Sequence, residues 1–165
     1  MDVHFIDHDG GLVDASCIAV VAALSHFRRP EVTIEGEEVT VHSLTERVPV
    51  LLSILHHPIC ITFSFFHAGA TVLMDATLQE EQLRDGDMTI TLNKHGEVCQ
   101  ISKAGGTSIE AVVLMQCAKQ ALEVVRSVTE LLVSKLEEDH AHRARRDNYA
   151  EATAENDRRI GLVGG

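Results

Sequence analysis

The sequence has no tryptophan, one tyrosine and five phenylalanines among 165 residues. Any core must therefore be built mainly from Val, Leu, Ile and Ala, which still make up enough of a 45% hydrophobic chain to fill one domain. Bases are also scarce: 14 Lys and Arg stand against 25 Asp and Glu, for a net charge of −11. Residues 137–160 hold seven acids and five bases, so the excess of acid belongs to the body of the chain rather than to a tail. Such a body argues against independent, high-affinity nucleic-acid binding, because that affinity comes largely from cations neutralising phosphates. It leaves room for a few bases contributed to a shared path.

The four cysteines, Cys17, Cys60, Cys99 and Cys117, include no CxxC pair, and each lies in an apolar run, so they read as buried reduced thiols, with zinc or disulfides as the alternative. No run of about 18 apolar residues is present, and the N-terminus lacks a charged region followed by an apolar one. The expected setting is cytosolic or nuclear. There is no P-loop, no dinucleotide fingerprint and no Ser-His-Asp or Cys-His spacing. His56-His57 beside Pro58 could suggest a metal, but adjacent histidines on an extended segment point opposite ways and no third ligand follows at helical spacing.

Along the chain, Val3–Asp7 reads as a short strand, followed by the turn Asp9-Gly10-Gly11. Residues 12–27 read as a helix that is apolar almost all round, and so buried on more than one side, with Asp14 in its first turn, where negative charge suits the helix dipole. Pro30 stops it. Val32 and Ile34, then Val39 and Val41, flank Glu35-Gly36-Glu37 as a hairpin. Residues 43–58, with two prolines, read as a connector. Ile59, Ile61, Phe63 and Phe65 share one face of a strand, the clearest period-two signal in the chain. A second strand covers 71–75, and the Thr77/Glu80 capping box predicts a helix over 78–84. Met88, Ile90 and Leu92 mark a further strand, turned by Asn93-Lys94-His95-Gly96 into 98–102. Gly105-Gly106 breaks the sheet, and Thr107 with Glu110 predicts a second capping box. A long helix then carries Leu114, Cys117 or Ala118, Ala121, Val125, Val128, Leu132 and Leu136 as an apolar stripe. His140, His142, Arg143, Arg145 and Arg146, beside three acids, read as a solvated helix face, with an RNA or partner contact as the alternative. The order of elements is that of an α+β fold with two main helices covering sheet faces.

Three collinear segments carry a family resemblance. The first is the junction His8-Asp9-Gly10-Gly11-Leu12-Val13-Asp14-Ala15 with its helix ending Ser25-His26-Phe27-Arg28-Arg29-Pro30. The second is Pro58–Phe66 followed by Val72–Glu81. The third is Asn93–Cys99 with Gly105-Gly106 and the long helix. Together they resemble the C-terminal part of an RNase PH superfamily subunit, in the branch of eukaryotic exosome ring subunits, over roughly residues 3–155. The resemblance implies the RNase PH-like (ribosomal protein S5 domain 2-like) fold with its N-terminal half missing, as a short isoform, a mis-started gene model or a fragment. A mixed sheet packed by two main helices follows. The implied divisions are 1–50 as a core-domain remnant, 51–136 as the C-terminal subdomain and 137–165 as a charged helical extension and tail. An apolar first helix left half-covered would need partners.

Active relatives place the key aspartate in the glycine-containing turn, where Asp9 stands, and a second acid six residues earlier, where this chain has Val3. They also place a Ser/Thr-Arg pair where this chain has Leu12-Val13. The resemblance thus implies a non-catalytic ring subunit in 3′–5′ RNA processing and decay, with no cofactor and no metal, in nucleus, nucleolus and cytoplasm. Its implied partners are other RNase PH-type exosome subunits and RNA in a shared channel, with no membrane. Asp9 reads as a carboxylate capping its own turn. Arg28, Arg29 and Lys94 are the candidate RNA contacts, with a helix-end role as the alternative for the two arginines. The rival functions are a phosphorolytic exoribonuclease completed by a neighbour's bases and a truncated interaction module.

Overall fold

Among the described residues of the computed structural model, eleven elements follow one another: α1 (Leu12–His26), β1 (Arg28–Arg29), β2 (Val32–Glu35), β3 (Glu38–Val41), β4 (Val50–Leu51), β5 (Ile59–Phe66), β6 (Thr71–Met74), α2 (Leu78–Leu83), β7 (Gly86–Leu92), β8 (Val98–Ser102) and α3 (Ala111–Ile160). The structure describes residues 1–43 and 47–160, with side chains through Arg143. Arg145 and Arg146 of the expected basic cluster, the connector residues 44–46 and the tail 161–165 lie outside the described residues or side chains. Two units are distinguished, Met1–Thr129 and Glu130–Gly165.

The first unit is built on a four-stranded sheet ordered β6-β5-β7-β8. Strict alternation in β5 puts Ile59, Ile61, Phe63 and Phe65 on one face. The antiparallel register sets Leu92, Ile90 and Met88 directly opposite the first three. All seven side chains are buried, as are Cys117, Ala121 and Val125 of α3. These residues are the core. On the other face, Cys60 meets Thr91 and Thr62 meets Thr89, with sulfur–oxygen and oxygen–oxygen distances of 3.4 and 3.0 Å. That face carries α1.

Short connections set the rest. Thr77 and Glu80 close a reciprocal capping box on α2: the Glu80 amide donates to the Thr77 hydroxyl, and the Thr77 amide donates to the Glu80 carboxylate. The hairpin β2–β3 turns at Gly36-Glu37, with Gly36 at φ 65. At the end of β8 the chain returns to the start of β7 so closely that a Cβ on Gly106, which sits at φ 71, would lie 2.7 Å from the Gly86 Cα. Only glycine fits there.

Five expectations change. Residues 3–7 are not a strand but an exposed irregular segment, since no neighbouring strand is present among the described residues to satisfy their backbone groups. Every pairing in the described residues is antiparallel, where a mixed sheet was expected. The connector holds β4, which pairs with β1. Thr107 does not cap the long helix: its amide donates to the Asp85 carbonyl, and α3 begins at Ala111. Finally, α1 is buried on one side only; Val21 is its one buried residue and Val13 stays 58% exposed.

Candidate functional site

The glycine-containing junction ahead of α1 packs on the segment that opens α2. Gly10 sits at φ 92, and a Cβ there would lie 2.3 Å from the Ala76 carbonyl oxygen. The junction can approach this backbone only with glycine in that place. Two hydrogen bonds fix it. The Leu78 amide, an orphan donor at the start of α2, donates to Asp9 Oδ1 at 3.3 Å, and the Gly11 amide donates to Glu81 Oε1 at 3.0 Å. Asp9 therefore caps, but it caps another helix 69 residues away and not its own turn.

Asp14 has a role that its position in a first helical turn did not suggest. β6 ends at Met74, opposite Phe63. The next amide along β5, that of Thr62, donates to Asp14 Oδ2 at 2.7 Å, while the Thr62 hydroxyl donates to Oδ1 at 2.8 Å. Asp14 thus takes the place of a strand partner and ties α1 to the sheet. Burial raises its pKa above the ordinary 3.8; the two bonds from Thr62 work against this, and the negative charges of Asp75 and Glu81 add to the rise. A paired signal existed in the sequence, an acid at the helix start and a threonine in the best-patterned strand, but nothing local links them.

Asp9, Asp14, Asp75 and Glu81 make the junction acidic. Arg84 is a cation seated here, 3.7 Å from Glu81 and 3.4 Å from Asp87. A phosphate dianion needs the reverse balance: donors and cations to hold it, with one acid placed to protonate a leaving oxygen. Val3 is exposed on the irregular N-terminal segment, and Leu12-Val13 lie in the first turn of α1. No grouping of three or more potential metal ligands exists among the described residues.

The basic candidates sit elsewhere. Arg28 lies on β1, and its Nη1 donates to the carbonyls of Ser25, His26 and Phe27, so it closes the C-terminus of α1. Arg29 is exposed beside it and pairs in register with Val50. Lys94 is exposed at the β7–β8 tip, which Asn93 organises by accepting from the amides of His95 and Glu97. Arg126, which the sequence reading missed, donates from Nε to the Lys94 carbonyl at 3.3 Å. His56, His57 and His95 border a cleft of about 20 Å³ with Lys94. Further along, Arg143 pairs with Asp139 at 2.8 Å on one helix face, as a solvated face would.

The thiols also differ from expectation. Cys117 is buried, Cys17 and Cys60 are half-buried, and Cys99 is exposed. Beside α1 runs an apolar groove of about 410 Å³, bordered by Val20, Leu24, Ile54 and Pro58 among others.

Residues 56–124 match the 3′ exoribonuclease family, domain 2. The exosome complex component rrp45 of Schizosaccharomyces pombe is 58% identical over 94% of this chain. The chain belongs to the RNase PH superfamily. The corresponding RRP45 of Saccharomyces cerevisiae is 48% identical over 96% of the chain, and that of Homo sapiens 41% over 97%. The chain spans about half the length of the yeast relatives, 53% and 55%, and 36% of the human one. Two solved structures share the RNase PH fold at 24% identity. They are the Archaeoglobus fulgidus exosome with RNA bound to the active site, at TM-score 0.58 over 76% of this chain and 44% of that one, and an archaeal exosome core, at 0.55 over 80% and 47%. The fold class is therefore α+β and RNase PH-like.

Proposed function

We propose that the chain is a non-catalytic part of an exosome ring subunit, which packs beside other RNase PH-type subunits and helps to frame an RNA path used in 3′–5′ processing and decay. The observation that carries the non-catalytic reading is the occupation of Asp9. Its carboxylate is bonded to the Leu78 amide within an acidic surround, where a phosphorolytic acid would need phosphate-holding cations at its side. The relatives are named exosome complex components, which supports ring membership. In this reading residues 1–50 complete a core domain, 51–136 form the C-terminal subdomain and 137–165 extend from it, and the protein works in nucleus, nucleolus and cytoplasm.

Arg28, Arg29 and Lys94 are the proposed RNA contacts, with Arg126 added to the Lys94 tip. On a surface of net charge −11 these few cations contribute to a path that other subunits share and do not make an independent binding site. The apolar groove beside α1 favours a chain that works in company.

The test is phosphate-dependent shortening of a 5′-labelled RNA by the purified chain, alone and mixed with RNase PH-type subunits whose own acids have been removed. No shortening is expected in either sample. Shortening that needs inorganic phosphate and disappears in Asp9→Asn would establish the phosphorolytic alternative instead.

A further inference from the structure

The face of β5 that meets α1 brings two cysteines together. Asp14 is pinned to Thr62 by two hydrogen bonds of 2.7 and 2.8 Å. Cys17 is three residues further along α1, a rise of about 4.5 Å. Cys60 is two residues back along β5, about 6.6 Å. The pin therefore delivers Cys17 to the stretch of chain that holds Cys60. The Cys17 sulfur lies 3.3 Å from the Pro58 carbonyl oxygen, so its reach extends to the residue two before Cys60. Both thiols border the 410 Å³ groove, which leaves them open to a small reagent. Of the other two cysteines, Cys117 is buried and Cys99 lies apart on exposed β8.

We propose that Cys17 and Cys60 are a reactive thiol pair, which a hydroperoxide converts to an intramolecular disulfide joining α1 to β5. Cys60 is the attacking sulfur. It has the Thr91 hydroxyl 3.4 Å away and the Cys17 thiol as a second donor to a thiolate. The Cys17 bond is the larger cause holding Cys60 below the ordinary thiol range, to about 6, while burial works against it. Cys17 moves the other way, up, because it is the donor of that bond and because it is buried. In the first step the Cys60 thiolate attacks a peroxide oxygen and the O–O bond breaks. The leaving oxygen takes a proton and departs as water or an alcohol, and Cys60 becomes a sulfenic acid. In the second, the Cys17 sulfur attacks the Cys60 sulfur, the S–O bond breaks, and hydroxide leaves as water with the Cys17 proton. Two thiols are oxidised and one peroxide is reduced.

The experiment treats the full, fully reduced chain with equimolar hydrogen peroxide, blocks remaining thiols by alkylation and maps peptides without reduction. The expected result is a cross-linked pair of peptides carrying Cys17 and Cys60, lighter by two hydrogens and separated by dithiothreitol. In Cys17→Ser the cross-link is lost and Cys60 is trapped by dimedone as its sulfenic acid. The proposal is overturned if Cys99 is consumed while Cys17 and Cys60 remain open to alkylation, or if the disulfides formed join other pairs or separate chains. The wild-type map decides even if the variant does not fold.

Discussion

Asp14 shows how one side chain can set the position of a helix. Its two oxygens accept from the amide and the hydroxyl of Thr62, and the Thr62 hydroxyl also lies 3.0 Å from that of Thr89. The carboxylate carries this link at a cost, since burial disfavours its charge. Because its pKa in the folded chain is raised, the folded state binds a proton more tightly than the unfolded one. Stability from this group is therefore highest below the ordinary value of 3.8, falls as pH rises through the folded value, and is flat beyond it. Asp14→Asn keeps an oxygen for the Thr62 amide and lacks the titration. Urea midpoints measured across the acid range should show wild type losing ground to the variant as pH rises, then a constant difference towards neutrality. A difference that does not move with pH, or one that moves in wild type's favour, would remove the assigned electrostatics. Asp9 offers the contrasting case: the sequence marked it as an acid in a family position, and only the structure could show that it meets an amide 69 residues away.

Elements whose signals are local were legible. Alternation in β5 named the four side chains that are now seen buried, and the Thr77/Glu80 spacing named a capping box that is present in full. Elements that depend on a partner were not. Residues 3–7 have strand-like composition but no neighbouring strand to bond among the described residues. The two-residue strands β1 and β4 exist only through each other, and Thr107 is drawn to Asp85 by the close approach of Gly86 and Gly106. For α2 the local account makes a direct prediction. Thr77→Ala should lower stability by about 1 kcal/mol near neutral pH, read by chemical denaturation. The backbone and side-chain bonds from Thr77 hold the pKa of Glu80 below its ordinary value. The stability this adds is present above the ordinary Glu range and lost as pH falls through the folded value, so the cost of the substitution should narrow in acid. A cost that grows in acid would contradict the capping box as the cause.

At the scale of the whole molecule, charge and covering carry the proposed function more than any single site does. The chain carries a net charge of −11, its family-position acid is committed to a helix cap, and one side of α1 borders an open apolar groove. These features suit a subunit that gains its role from neighbours. The composition made the acidity legible, and the collinear motifs made the superfamily legible. The groove and the meeting of Cys17 with Cys60 were not, because they arise where α1 and β5 pack. The most direct measurement is reconstitution: mixing the folded chain with purified RNase PH-type exosome subunits and following it by size-exclusion chromatography. The predicted result is co-elution in a stoichiometric complex. A chain that melts cooperatively by circular dichroism, and so is folded, yet always elutes apart from those subunits would contradict ring membership.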